Sequence, residues 1–296
     1  MNLIVGSTGI LGSEICRRLA AEQLPVKALV RGTSAPAKVA ALEALGADLV
    51  RGDLKDAPSL QAACRGVRTV VSTASSTLSR QEGDSIETVD RNGQLDLIAA
   101  AEEAGVEHFV LISFPTVEID FPLQRAKRDV EDRLRRSRMT HTILQPTFFT
   151  EVWLSPALGF DVAQASARVY GAGHAKISFV SFQDVAAFAV AAVSNQGASN
   201  ATIKLGGPEA LSPLEVVQLA DTITGRPMNV QHVGEDALRA QYSAATDSLQ
   251  QSFAGLMLYY AKGDLIDMTD ATRVFGARQL RSVREHLQTV AGTATV

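Results

Sequence analysis

Residues 3–12 read Leu-Ile-Val-Gly-Ser-Thr-Gly-Ile-Leu-Gly: a short apolar strand, three spaced glycines, then the first turn of a helical pattern. Few chain paths satisfy that order. Gly6 permits a tight turn, Gly9 lets backbone approach a ligand with no Cβ in the way, and Gly12 lets the helix lie close on the strand. The start of such a helix offers unpaired N–H groups and the positive end of its dipole, which suits a phosphate. Gly6, Ser7, Thr8, Gly9, Ile10, Leu11 and Gly12 are therefore expected to cradle one.

The alternation of apolar runs and helical patterns continues to residue 145. Strands are predicted at 2–5, 26–30, 48–51, 69–72, 108–113 and 141–144, each bounded by Gly, Pro or polar residues. Such runs suit strands buried on both faces of a parallel sheet. Helices are predicted at 11–21, 37–45, 58–64, 86–104 and 123–136. The expected fold class is α/β, a Rossmann-type doubly wound parallel sheet with helices on both faces. Ligands bind such a sheet outside the carboxyl ends of its strands.

After Pro146 the rhythm changes. Residues 147–167 are irregular and rich in Phe, Trp and Pro, as a lid or pocket wall would be. A turn follows at 170–173, a strand near 177–180, and a helix started by Ser181 or Phe182 that runs through 184–193. Ser212-Pro213-Leu214-Glu215 is a capping box with Pro at the first helical position, and Gly225-Arg226-Pro227 closes that helix. Residues 235–261 and 274–287 read as helical. The expected organisation is a dinucleotide-binding domain at 1–150, with contributions from about 175–206, and a smaller, mostly helical substrate region at 151–296 packed on it.

Position 31 discriminates between dinucleotides. The second strand ends Ala28-Leu29-Val30-Arg31. An acidic residue there selects NAD by binding ribose hydroxyls, whereas an Arg receives a 2′-phosphate. Arg31 keeps its charge and its planar fork holds phosphate bidentately; Thr33, Ser34 and Lys38 are further donors. NADP(H) is expected over NAD(H). Asp53, just after the third strand, is placed to accept from an adenine amino group. Ser72, Thr73 and Ala74, at the end of the fourth, are small enough for backbone to pass close to a cofactor.

Net charge is −4, from 28 basic and 32 acidic residues, with 46% hydrophobic residues. That balance argues against nucleic acid or a polybasic membrane patch as partner, and no apolar run reaches membrane-spanning length. Residues 125–138 hold seven basic and three acidic side chains and read as a solvated helix face. Cys16 and Cys64 fall in predicted helices as buried, reduced thiols. With no basic leader before the first strand, a cytoplasmic protein acting on a small molecule is expected; no metal site is indicated, and oligomeric state is not readable.

Several ordered motifs together resemble the short-chain dehydrogenase/reductase superfamily in its atypical NmrA-like branch. They are the glycine loop, Arg31, Gly52-Asp53-Leu54, Asn92-Gly93-Gln94, the run 108–113, Lys127 with Val130-Glu131, residues 142–149 from Thr142 through Pro146, Thr147, Phe148 and Phe149, and Gly206-Gly207-Pro208-Glu209. The resemblance implies that Leu54, Pro146, Thr147 and Phe148 also contact the cofactor. It implies a reacting site near Ser113 and Lys127, the two catalytic candidates. Phe114, Phe149, Trp153 and Tyr170 are the candidate substrate contacts; Phe148, Phe149 and Trp153 serve equally well as core.

Family members typically place a proton-donating Tyr four residues before the Lys. That position is Leu123 here, which cannot transfer a proton. Relatives similar to isoflavone reductase use the Lys itself. Three roles for Lys127 stay open: proton transfer, holding the nicotinamide ribose, or pairing with Glu131. The function implied is NADPH-dependent reduction of a small apolar ketone, quinone or conjugated carbonyl. The alternative is a non-catalytic NADP(H)-binding regulator or assembly factor, and an isomerase is a third.

Overall fold

The computed structural model describes residues 1–78 and 81–293. Among them, β1 (Asn2–Val5), β2 (Val26–Val30), β3 (Asp48–Arg51), β4 (Thr69–Ser72), β5 (His108–Ile112) and β6 (Thr140–Pro146) build one sheet with a later strand, Ala201–Leu205. Strands β7 (Phe160–Asp161) and β8 (Ser166–Tyr170) lie elsewhere, so Ala201–Leu205 is β9. The order is β3-β2-β1-β4-β5-β6-β9. β1 runs parallel to β2 on one side (Leu3 opposite Lys27) and to β4 on the other (Leu3 opposite Val70). The order reverses at β1, which opens the crevice where doubly wound sheets bind ligands.

The helices of this part are α1 (Ile10–Ala21), α2 (Pro36–Ala44), α3 (Ala57–Cys64), α4 (Gln94–Glu103) and α5 (Pro122–Arg135), followed by the short α6 (Thr150–Trp153) and by α7 (Phe182–Ser194). α1 shows why they form. Leu11, Ile15, Cys16 and Leu19 make its buried stripe, while Glu14 bonds Arg17 and Arg18 on the open side. The residues of β1 are buried along its whole length, as a strand covered on both faces requires.

Two expectations need correction here. The predicted helix at 86–104 begins as a wider π-helical segment, Ile86–Gly93, and becomes α4 only at Gln94. Gly93 lets this segment press on Leu54, since a Cβ there would stand 2.7 Å from the Leu54 Cβ. The strand predicted near 177–180 is extended chain that makes only isolated bridges, Ile177 to Leu211 and Asp264, and Val180 to Phe149.

The chain divides into two compact units, 1–114 with 122–145 and 185–203, and 115–121 with 146–184 and 204–296. The first has a core of Leu3, Val70, Leu97, Phe109, Leu111 and Ile143. The second packs Phe148, Phe160, Phe179, Val216, Leu258 and Leu287. The second unit is less exclusively helical than expected, because β10 (Asn229–Val233) pairs in parallel with β8, and β7 pairs antiparallel with β8.

Its helices are α8 (Pro213–Thr224), α9 (Glu235–Ala244), α10 (Ser248–Lys262), α11 (Thr269–Phe275) and α12 (Val283–Thr293). Thus 235–261 is two helices, and 274–287 spans the end of α11, a non-helical stretch and the start of α12. The capping box forms as expected: Glu215 N donates to Ser212 Oγ at 3.2 Å, and Ser212 N to Glu215 Oε2 at 2.7 Å. Gly225 closes α8 in the left-handed conformation. Among the described residues, no helix is long and apolar enough to cross a membrane.

Candidate functional site

The glycine loop turns as its sequence requires. Gly6 has φ +85°, and a Cβ there would lie 2.6 Å from Thr73 Oγ1 and 2.9 Å from Ala74 N. A Cβ on Gly12 would collide with the Gly6 carbonyl oxygen. Gly9 opens α1, where no side chain among the described residues caps the helix and no acid sits in its first turn. The first N–H groups of α1 are thus left for an anion. Within this loop Gly9 and Ile10 are exposed, Thr8 is half-buried, and Leu11 turns into the core. The Ser7 hydroxyl is already committed, donating to the Leu29 carbonyl at 2.6 Å, so Ser7 has only main chain to offer.

Arg31 is not a solvated cation. Its Nη1 bonds Asp84 Oδ2 at 2.8 Å, and Lys55 Nζ bonds the other Asp84 oxygen. Lys55 Nζ also lies 3.6 Å from Asp53 Oδ2, and Lys55 N donates to Asp53 Oδ1. Two cations and two carboxylates therefore meet beyond the ends of β2 and β3. Lys55 and Asp84 carry no local signal of this role in the sequence. Ser34 Oγ accepts from Arg31 N, fixing the turn, and Thr33 bonds Gln81.

The loop after β4 is clamped by one face of the adjoining helix. Gln94 accepts from Ser72 Oγ at 2.8 Å and donates to the Ala74 carbonyl, while Thr73 Oγ1 donates to the Val5 carbonyl. Asp90, fully buried on the π-helical segment, accepts from both N and Oγ of Ser76 through Oδ2. Its Oδ1 has no hydrogen-bond partner among the described residues and faces Lys127 Nζ at 3.4 Å. Lys127 itself is 5% exposed. The pairing of Lys127 with Glu131 does not occur. Glu131 instead binds Arg128, Arg135 and Gln145.

Ser113 follows β5 and is buried; its N donates to the Leu144 carbonyl. Arg128 Nη2 donates to Ser113 Oγ at 3.0 Å and to the Phe114 carbonyl at 2.6 Å, with its guanidinium 5.4 Å from the centre of the half-buried Phe114 ring. The stretch 125–138 is thus only in part a solvated face: Lys127, Arg128 and Glu131 turn inward. Leu123, in the position expected of the Tyr, is buried.

The remaining candidates belong to the second unit, which takes up the chain at Pro146, the last residue of β6. Thr147 N donates to the Leu205 carbonyl, but its buried hydroxyl has no partner among the described residues, nor has that of Thr150. Phe148 centres an aromatic cluster, edge-on to Trp153 and Tyr260 and tilted on Tyr259. Trp153 and Tyr260 stack at 4.6 Å, 10° from parallel. Burial, then the nearby Tyr170, pushes the Tyr260 phenol well above the usual range, so it stays a neutral donor. Tyr170 packs edge-on to Tyr260 and spends its hydroxyl on the Leu158 carbonyl at 3.1 Å. Phe149 is half-buried beside Val180. Nothing local in the sequence marks Tyr260 as part of this cluster.

The profile of the NmrA-like family matches residues 2–285. The NAD(P)H azoreductase of Xenophilus azovorans is 32% identical over 259 residues, covering 87% of this chain and 85% of that one. The photosystem II assembly factor Ycf39 of Trieres chinensis is 28% identical over 233 residues, 78% of this chain and 71% of that protein. The fold is shared with the NADPH-dependent quinone oxidoreductase QOR2 of Escherichia coli, solved in complex with NADPH. It superposes with a TM-score of 0.79 at 24% identity, over 98% of this chain and 99% of that one.

Proposed function

The chain belongs to the NmrA-like family, and on that premise we propose that it is an NADPH-dependent reductase of a small, apolar carbonyl, quinone or conjugated acceptor. One observation carries the reading. The buried Lys127–Asp90 pair keeps a carboxylate oxygen that accepts no hydrogen bond from the described residues, in the same unit as a glycine cradle that any Cβ would fill. Buried polar groups of this kind call for a polar ligand.

The residues fit NADP(H). The open first turn of α1 takes the pyrophosphate, and Gly6 and Gly12 keep that path clear. Arg31 and Lys55 take the 2′-phosphate, with Asp84 holding both cations in place until it arrives. The ammonium of Lys127 and Oδ1 of Asp90 hold the nicotinamide ribose hydroxyls, one as donor and one as acceptor. When bound, the reduced nicotinamide supplies a hydride from its C4. Ser113 contacts the heteroatom of the acceptor, and Lys127 or a water held by it supplies the proton that Leu123 cannot. The first unit is the dinucleotide domain of this proposal. The second, with Phe148, Trp153 and Tyr260, is its substrate region, where aromatic faces suit a flat apolar molecule.

A second reading is favoured by two observations, the buried Leu123 and the likeness to an assembly factor: a dinucleotide sensor with no turnover. NADPH oxidation followed by stopped flow across ketones, quinones and azo compounds separates them. Turnover with at least one class is expected. Tight NADPH binding with no oxidation by any acceptor would sink the reductase reading.

A further inference from the structure

Arg128 was masked in the sequence by its neighbours, a run of basic residues on a helix that looks solvated. In the fold its Nη2 donates into Ser113 Oγ at 3.0 Å. A guanidinium has donors and no acceptor, so this bond decides how the hydroxyl works. The Ser113 oxygen is an acceptor, and its proton is turned away from Arg128. No described residue accepts that proton. Ser113 is 7% exposed, so what remains is a nearly buried O–H open to an acceptor from outside the protein, as a bound substrate would supply.

Arg128 is itself held from behind. Its Nη2 lies 2.8 Å from Glu131 Oε1, the same oxygen takes Gln145 Nε2 at 2.9 Å, and Arg135 Nη2 reaches Glu131 Oε2 at 3.0 Å. Arg135 also pairs with Asp132 at 3.0 Å, so the outer charges balance, and the positive charge that touches Ser113 is the Arg128 guanidinium. Charge of that sign, fixed before reaction, favours electron density growing on an atom that Ser113 contacts.

We propose that Arg128 is a positioning residue that makes Ser113 an obligate hydrogen-bond donor to the acceptor heteroatom. This rests on the reductase reading. It narrows the substrate class to molecules with a lone pair on a doubly bonded oxygen or nitrogen: a carbonyl, a quinone or an azo group. A carbon–carbon double bond without a conjugated heteroatom offers Ser113 nothing to bind.

The test uses Arg128→Ala, Arg128→Lys, Ser113→Ala and the double variant Arg128→Ala/Ser113→Ala, each checked for a native melting transition. With 1,4-naphthoquinone as acceptor, Arg128→Ala should lower kcat about 10- to 100-fold while NADPH affinity stays within about twofold. Millimolar guanidinium should restore much of that loss, a rescue that a purely structural role does not give. Because Arg128 acts through Ser113, the double variant should be no slower than Ser113→Ala. Multiplied losses in the double variant, or no rescue of a folded Arg128→Ala, overturn the proposal. Arg128→Lys keeps the charge, but its shorter side chain stops short of the position where Arg128 Nη2 meets Ser113, Phe114 and Glu131, so it should be slowed too; wild-type turnover in it counts against the proposal and needs no folding of the alanine variant.

A second readout separates this proposal from the reductase reading. Isothermal titration calorimetry reports naphthoquinone binding to the NADP+ complex without turnover. Binding weakened about tenfold in Ser113→Ala and in Arg128→Ala, and no further in the double variant, supports the Arg128 role even if wild type oxidises no NADPH. Unchanged naphthoquinone affinity, or none in wild type, overturns it.

Discussion

The Lys127 ammonium lies 3.4 Å from Asp90 Oδ1, with both groups shut off from solvent. The other Asp90 oxygen takes the N–H and hydroxyl of Ser76, so one carboxylate ties α5 and the π-helical segment to the loop after β4. Removing one member of a buried ion pair strands the other charge, which costs about 3 kcal/mol or more. Lys127→Met should therefore be destabilised by about that amount in urea unfolding. Lys127→Met/Asp90→Asn should recover at least about 1 kcal/mol of it, since the stranded charge is gone. Additive losses in the double variant would show that the two groups do not act as a pair.

Arg31 and Lys55 share Asp84, and this decides how NADPH selectivity should respond to mutation. If Arg31 takes the 2′-phosphate as proposed, Arg31→Asp should weaken NADPH binding at least about tenfold and improve NADH binding, because it replaces a bidentate donor with a like charge. Lys55→Met should weaken NADPH severalfold and leave NADH alone. Asp84→Asn should raise the preference for NADPH, because the 2′-phosphate then meets two cations with one fewer competing carboxylate. Fluorescence titration of both dinucleotides checks all three; unaltered NADPH:NADH ratios would remove this cluster from cofactor recognition.

His108 and His141 start neighbouring strands, and His108 Nε2 shares a 2.9 Å hydrogen bond with Thr142 Oγ1. Burial lowers both imidazoles below the ordinary histidine value, with the Arg135 charge adding to it at His141. Unfolded histidine titrates near 6.5. Below that pH the unfolded chain takes up protons that the folded one refuses, so the contribution is complete above about 6.5 and is lost as pH falls through the depressed native values. Melting temperature should drop between about pH 6.5 and 5, and His108→Gln/His141→Gln should flatten that slope. Carboxylates such as Glu102, held low chiefly by its bond to Arg133, act in a more acidic window and would leave it untouched. An equal slope in both proteins would refute the assignment.

Burial pushes the Cys16 thiol up to about 12 and the Cys64 thiol up to about 11. The thiolate is the reactive form, so both should resist a disulfide reagent at pH 8 in the native state and react together on unfolding. Native labelling as fast as that of an exposed thiol would mean that α1 or α3 opens far more readily than its packing implies.

What the sequence determined was local in origin. The strand–glycine–helix order at 2–12, the strands from β1 to β5 and the cap at Ser212 each depend on residues a few positions apart, so turn chemistry and hydrophobic period are enough to read them. Arg31 was legible for the same reason, standing at the end of a recognisable strand. The family itself follows from such motifs in series.

Tertiary structure decided the rest. The β10 run Asn-Val-Gln-His-Val is largely exposed, so it lacks the apolar signature that a buried strand carries. Residues 125–138 look uniformly solvated in sequence because a charged side chain reveals nothing of what its helix packs against. Only in the fold does Lys127 meet Asp90, and Arg128 meet Ser113, while Asp84 binds the cation at position 31. Each pair joins segments far apart in the chain. A charge is kept inside by the partner it finds there, and that partner is chosen by how helices and strand ends converge.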